Sequence, residues 1–131
     1  MDEDRELLVK SGYSDRAIEY YLEKVNVGEM KKPTVEVSYT GPCGDTMQLY
    51  LKIESSVIKD GKFHAIGCAG AFSSGSALIE MVKGKSLEEA EGITKDDIID
   101  FLGGLPENKF DCACLARRTL LRAIRKYRRT I

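Results

Sequence analysis

Residues 41–46 read Gly-Pro-Cys-Gly-Asp-Thr, which sets a thiol and a carboxylate two positions apart on a backbone of turn-forming residues. A cysteine kept only for packing stands among apolar neighbours, so Cys43 and Asp45 in a turn mark a candidate site. Cys68, Cys112 and Cys114 follow, and the only histidine is His64. A site drawn from these residues is rich in sulfur with oxygen as its fourth donor. Such a set suits zinc or an iron-sulfur cluster and fits calcium or magnesium poorly. The intervals are long and no Cys-x-x-Cys pair is present, so spacing alone leaves one shared metal site and three unrelated thiols as open alternatives.

The elements that must position these residues are read from hydrophobic period and turn residues. Helices are expected at roughly 3–10 and 14–25, the second opened by Ser14 as N-cap and carrying Ala17, Ile18, Tyr21 and Leu22 at helical spacing. Strands are expected at 34–40, 46–54 and 57–67, the last bent by the turn pair Asp60-Gly61. In the second strand Met47, Leu49, Leu51 and Ile53 form a buried face and Gln48, Tyr50, Lys52 and Glu54 a wetter one. After Cys68 the period becomes helical as far as Gly84, then Ser86 and Glu89 match a capping box and Thr94 opens a further helix that Gly103-Gly104 closes. A final helix runs from about Cys112 to Arg128. Strands first and helices after them predict an α+β domain, a small antiparallel three-stranded sheet with helices packed on one side.

On this map Cys43 falls between the first two strands, Cys68 where the third strand gives way to a helix, and Cys112 at the start of the final helix. The free N–H groups and partial positive charge of a helix N-terminus favour the thiolate at Cys68 and Cys112. Gly41, Gly44, Gly67 and Gly70 leave room beside the sulfurs for a bulky inorganic group. Cys114 should point about 200° away from Cys112 on a helix and is read as core packing, and His64 is read as a plain strand residue.

Composition frames the class. The 131 residues are 43% hydrophobic and 31% charged, which fits one domain over 1–131. No apolar run is long enough to span a bilayer and the amino terminus is acidic, so a cytoplasmic protein without a membrane partner is expected. Four cysteines in that reducing compartment are expected to be free, metal-bound or catalytic. From Lys109 onward eight basic residues face the single acid Asp111, giving this segment about +7 and the rest about −8. With few interleaved aromatics and an acidic remainder, the stripe is read as docking on an acidic protein rather than on nucleic acid.

Three segments, GPCGDTMQLYLKI, FHAIGCAGAFSSGSALIEMVKGKSLEEA and LPENKFDCACLARRTLLRAI, resemble in order and separation the IscU/NifU-type iron-sulfur cluster assembly scaffolds. The stretch YSDRAIEYYLEKVNVG is similar to that family's opening helix and Asn-Val-Gly turn. The resemblance covers about residues 13–128 and implies that residues 1–12 are an N-terminal extension. It implies that Cys43, Cys68 and Cys112 are cluster ligands and sulfur acceptors, with Asp45 beside them and Lys109 as the family's lysine near the last ligand. It further implies a cysteine desulfurase that delivers persulfide sulfur, ferrous iron, an electron donor such as a ferredoxin, a 2Fe-2S product and recipient apo-proteins. The scaffold itself would not be an enzyme, and zinc is a candidate occupant of the cluster-free site.

Two residues depart from the family pattern. Asp111 stands where the family commonly has histidine, so Asp45 and Asp111 compete for the fourth coordination position, Asp45 being favoured and Asp111 serving equally as an N-cap. LPENK replaces the Leu-Pro-Pro-Val-Lys that a dedicated Hsp70 reads in bacterial members. The alternative within the fold is a zinc-bound sulfurtransferase of the SufU type, whose usual insertion does not fit the interval from Cys68 to Cys112. A nucleic-acid module built on the basic helix is the alternative from a different class.

Overall fold

The computed structural model describes residues 2–130. Helices α1 (Asp2–Lys10) and α2 (Asp15–Glu23) precede strands β1 (Val35–Thr40), β2 (Thr46–Glu54) and β3 (Val57–Ile66). Helices α3 (Ala69–Val82), α4 (Leu87–Glu91) and α5 (Lys95–Leu102) follow, and a 3-10 turn at Glu107–Lys109 runs into α6 (Phe110–Thr130). The strands form an antiparallel meander in the order β1-β2-β3. The fold is the α+β arrangement expected.

The sheet's inner face is set by alternation along β2, where Met47, Leu49, Leu51 and Ile53 are buried. Helix α3 lies on this face against β3, and α6 lies against β1 and β2. Close approach of α3 is built from small residues. A Cβ on Gly75 would stand 2.5 Å from the Phe63 ring, and Ser73 and Ser76 send their hydroxyls to the carbonyls of Ala17 and Val25, both at 2.7 Å. Helix α2 is thereby tied to α3 by hydrogen bonds that a larger side chain would push apart.

Caps fall where the sequence places them. Ser14 accepts from the Ala17 amide, and Ser86 and Thr94 form capping boxes with Glu89 and Asp97.

Three expectations need correction. The β2–β3 hairpin turns at Ser55-Ser56, both left-handed at φ 53° and 59°, and β3 continues through Asp60-Gly61 as one strand without a turn. A register shift lies opposite Lys52 and Ile53, and Gly61 serves packing, since a Cβ there would meet Leu51 Cδ2 at 3.2 Å and Ile79 Cγ1 at 3.5 Å. Tyr50 is buried although it lies on the outer face, because on the central strand it is flanked by Glu36 of β1 and Lys62 of β3. Helix α6 begins at Phe110, so Asp111 lies within the first turn rather than at a cap.

A candidate metal centre of two thiols and a carboxylate

Pairing of Thr46 with Ile66 brings the start of β2 and the end of β3 to one end of the sheet. Asp45 immediately precedes the first and Gly67-Cys68 immediately follow the second, so antiparallel register alone puts carboxylate and thiol together. The first turn of α6 crosses the same end and delivers Cys112. Cys68 Sγ lies 3.5 Å from Cys112 Sγ and 3.8 Å from Asp45 Oδ2, and one ligand atom from each of the three falls within 4.8 Å of the others.

Glycines make this convergence possible. A Cβ on Gly67 would sit 2.6 Å from the Asp45 carboxylate, and one on Gly70 would meet Cys112 Sγ at 3.1 Å, Lys109 Cβ at 3.3 Å and Tyr13 Oη at 3.4 Å. Neither position admits a side chain without displacing a donor.

The two sulfurs share a proton unequally. Cys68 is held down at about 5, first by the hydrogen bond from the Cys112 thiol and then, against the cost of burial, by the amides of Ala71 and Gly70 at the N-terminus of α3 and by the Lys109 ammonium. Cys112 is pushed up, because its proton is held by Cys68, its sulfur is buried, and the Cys68 and Asp45 charges oppose a second ionisation. The pair therefore presents one thiolate and one thiol beside a carboxylate. As a neutral thiol Cys68 can donate to Asp45; as a thiolate it is the softest nucleophile and metal ligand in the set.

Tyr13 is a site residue that the sequence reading missed. Its ring is buried, its hydroxyl stands against the thiols, and burial together with the nearby Cys68 and Cys112 charges pushes it up to about 12. It stays a neutral donor at the edge of the centre. Its place just before the Ser14 cap of α2 was the available signal, since that cap fixes where the preceding residue enters the fold.

Cys43 stands apart from this set. It is exposed on the β1–β2 turn and lines a neighbouring cavity of about 130 Å³ with Tyr39, Gly41, Asp111, Cys114 and Arg118. Asp111 is exposed and belongs to that cavity; the carboxylate beside the two sulfurs is Asp45. Cys114 is half-buried and lines the same cavity, which corrects its reading as core packing. The expected divergence from Cys112 holds, and it places Cys114 on the cavity that Cys43 also lines. His64 is an exposed residue of β3 paired with Gln48, as a plain strand residue would be.

A three-stranded meander whose one end gathers two thiols and a carboxylate, with helices on a single face, defines a small α+β metal- or sulfur-handling domain. The chain belongs to the NifU-like N-terminal domain family, whose model matches residues 12–131. It is 41% identical over 116 residues to the iron-sulfur cluster assembly scaffold protein IscU 1 of Archaeoglobus fulgidus, covering 88% of this chain and 76% of that protein. The solved N-terminal part of a nitrogen-fixing NifU-like protein from Brucella abortus superposes with a TM-score of 0.76 at 17% identity, covering 95% and 99% of the two chains. A putative scaffold protein for the SUF system from Fervidobacterium islandicum superposes at 0.70 with 25% identity, covering 86% of this chain and 96% of that one.

Proposed function

We propose that this chain is an iron-sulfur cluster assembly scaffold that builds a 2Fe-2S cluster on Cys43, Asp45, Cys68 and Cys112 and hands it to recipient apo-proteins. The observation that carries this reading is the gathering of Asp45, Cys68 and Cys112 within 4.8 Å, between glycines whose Cβ atoms would press on the donors. Cys43 completes the set from the adjoining turn, where Gly44 takes the left-handed conformation, φ +93°, that the turn requires. Sulfur arrives as persulfide from a cysteine desulfurase, and electrons from a ferredoxin-like donor. The pre-ionised Cys68 is the first anchor for ferrous iron.

Three thiolates and a carboxylate suit a centre that must let its cargo go. Carboxylate oxygen is a harder donor than sulfur and a poorer match for an iron-sulfide core, so Asp45 exchanges first when a client thiol arrives. Asp45→Ala is expected to slow cluster transfer to an apo-ferredoxin; unchanged or faster transfer removes this role. Lys109 offsets the negative charge of the site.

Anaerobic purification with metal and sulfide analysis tests the whole reading. Iron and labile sulfide in equal amounts support the scaffold. Zinc without sulfide supports the SufU-type sulfurtransferase. Against that second reading, residues 69–111 are filled by α3, α4 and α5 and the 3-10 turn, with no extra element.

The basic face of α6 is the docking surface for an acidic desulfurase. Some of its charges are spent internally, Arg128 on Glu91 at 2.6 Å and Lys126 on the Glu36 carbonyl at 2.8 Å, while Arg125 is exposed. Charge reversal at Arg125, with or without Arg128, should weaken desulfurase binding in a salt-dependent manner. Among the described residues no helix is long and apolar enough to cross a membrane.

A further inference from the structure

We propose that Cys114 is a resolving thiol for Cys43: it attacks a persulfide carried on Cys43 and frees the outer sulfur as sulfide. This rests on the reading above that Cys43 accepts persulfide sulfur. The observations are three. Cys43 and Cys114 open into one cavity of about 130 Å³, separate from the Cys68-Cys112-Asp45 cluster. Cys114 is half-buried and free, with no place in that cluster. The turn bearing Cys43 rests directly on α6, since a Cβ on Gly41 would lie 3.2 Å from Leu115 Cδ1 and 3.9 Å from Cys43 Sγ.

Helical spacing supplies the rest. Asp111, Cys114 and Arg118 recur at three and four residues and so share one face of α6, and all three line the cavity. Arg118 thereby brings a positive charge, and Asp111 a negative one, to the cavity into which the sulfur leaves. A bridge requires the two Cα atoms within about 7 Å, which the cross-link sought below reads directly.

The step balances without an external electron source. The Cys114 sulfur attacks Sγ of Cys43 and forms a Cys43-Cys114 disulfide. The persulfide S–S bond breaks, and its outer sulfur departs with the bonding pair as hydrosulfide, while the Cys114 proton goes to water. The sulfane sulfur is reduced and the two cysteine sulfurs are oxidised. A dithiol reductant then restores both thiols for the next turnover. Cluster assembly consumes sulfide while the donor supplies sulfane sulfur, and this pair closes that gap within the chain.

The test uses the full chain under anaerobic conditions, loaded with sodium tetrasulfide and then desalted. Released sulfide is measured over time, and the thiol state is mapped by peptide mass spectrometry without reduction. The wild type should release sulfide with one equivalent of a Cys43–Cys114 cross-link. In Cys114→Ser and Cys114→Ala the release rate should fall about tenfold or more and the extra sulfur should persist on Cys43. Circular dichroism melts confirm that both variants are folded. Equal release from wild type and both variants, or a cross-link from Cys43 to Cys112 in place of Cys114, overturns the proposal. Uptake of ferrous iron with free sulfide by the wild type is scored separately, so failure of the scaffold reading is distinguished from failure of the resolving step.

Discussion

Two thiol-bearing regions lie side by side at one end of the sheet, and they are built on opposite principles. Asp45, Cys68 and Cys112 are fixed by strand register and helix ends, half-buried or buried, and squeezed together by missing Cβ atoms. Cys43 and Cys114 line one cavity, Cys43 from an exposed turn that holds Gly41 and Gly44. A centre that must choose among metals profits from preset donors, whereas a residue that must meet a donor protein's sulfur and return needs reach. On the proposed reading the first region holds the metal from the outset, and Cys43 receives sulfur in the second before it completes the ligand set.

The comparison breaks most visibly at the ligands. Cys68→Ser or Cys112→Ser should abolish iron binding, measured as iron per chain after anaerobic reconstitution, while Asp111→Asn should leave that ratio unchanged. Loss in the Asp111 variant would move the boundary between the two regions. Gly67→Ala should come next, since its Cβ would stand 2.6 Å from the Asp45 carboxylate and drive it aside. Iron affinity should fall roughly 10- to 100-fold, as for other disturbances of a ligand's supports, and a competitive chelator titration reads it.

The shared proton gives a pH signature. The folded value of Cys68 is depressed to about 5, so the stability it adds is fully present above the free-thiol value and fades as the pH falls toward 5. The raised Cys112 acts with the opposite sign, opposing the folded state once the pH exceeds the free-thiol range. Urea midpoints of the metal-free chain should therefore rise from pH 5 toward pH 8 to 9 and turn over above it. A flat difference between wild type and Cys68→Ser across that range would show that no such proton sharing exists. The smallest effect is expected at the receiving turn: Gly44→Ala, at φ +93°, should cost about 1 kcal/mol of stability by denaturant melt and leave iron binding in place.

Much of this was legible because it depends on short-range rules. Alternation along β2, the Ser14, Ser86 and Thr94 caps, and the glycines beside Cys68 were each readable from a few neighbouring residues. The hairpin at Ser55-Ser56 was not, because two serines carry none of the Asn-Gly preference for left-handed turns, whereas Asp60-Gly61 does. That glycine exists for Leu51 and Ile79, neither adjacent in sequence. Tyr13 and Cys114 were misjudged for the same reason: each gains its role from a side chain more than fifty residues away.

By itself the sequence determined which donors exist, which elements carry them and, through its likeness to a known family, what chemistry they serve. Only the folded chain decided which donors meet. Register across β2 and β3 selected Asp45, the early start of α6 set Asp111 aside, and packing of the β1–β2 turn on Leu115 put Cys43 and Cys114 on one cavity. Donor identity is local and covalent, whereas proximity is a property of packing, and packing is settled by contacts that no short window of sequence contains.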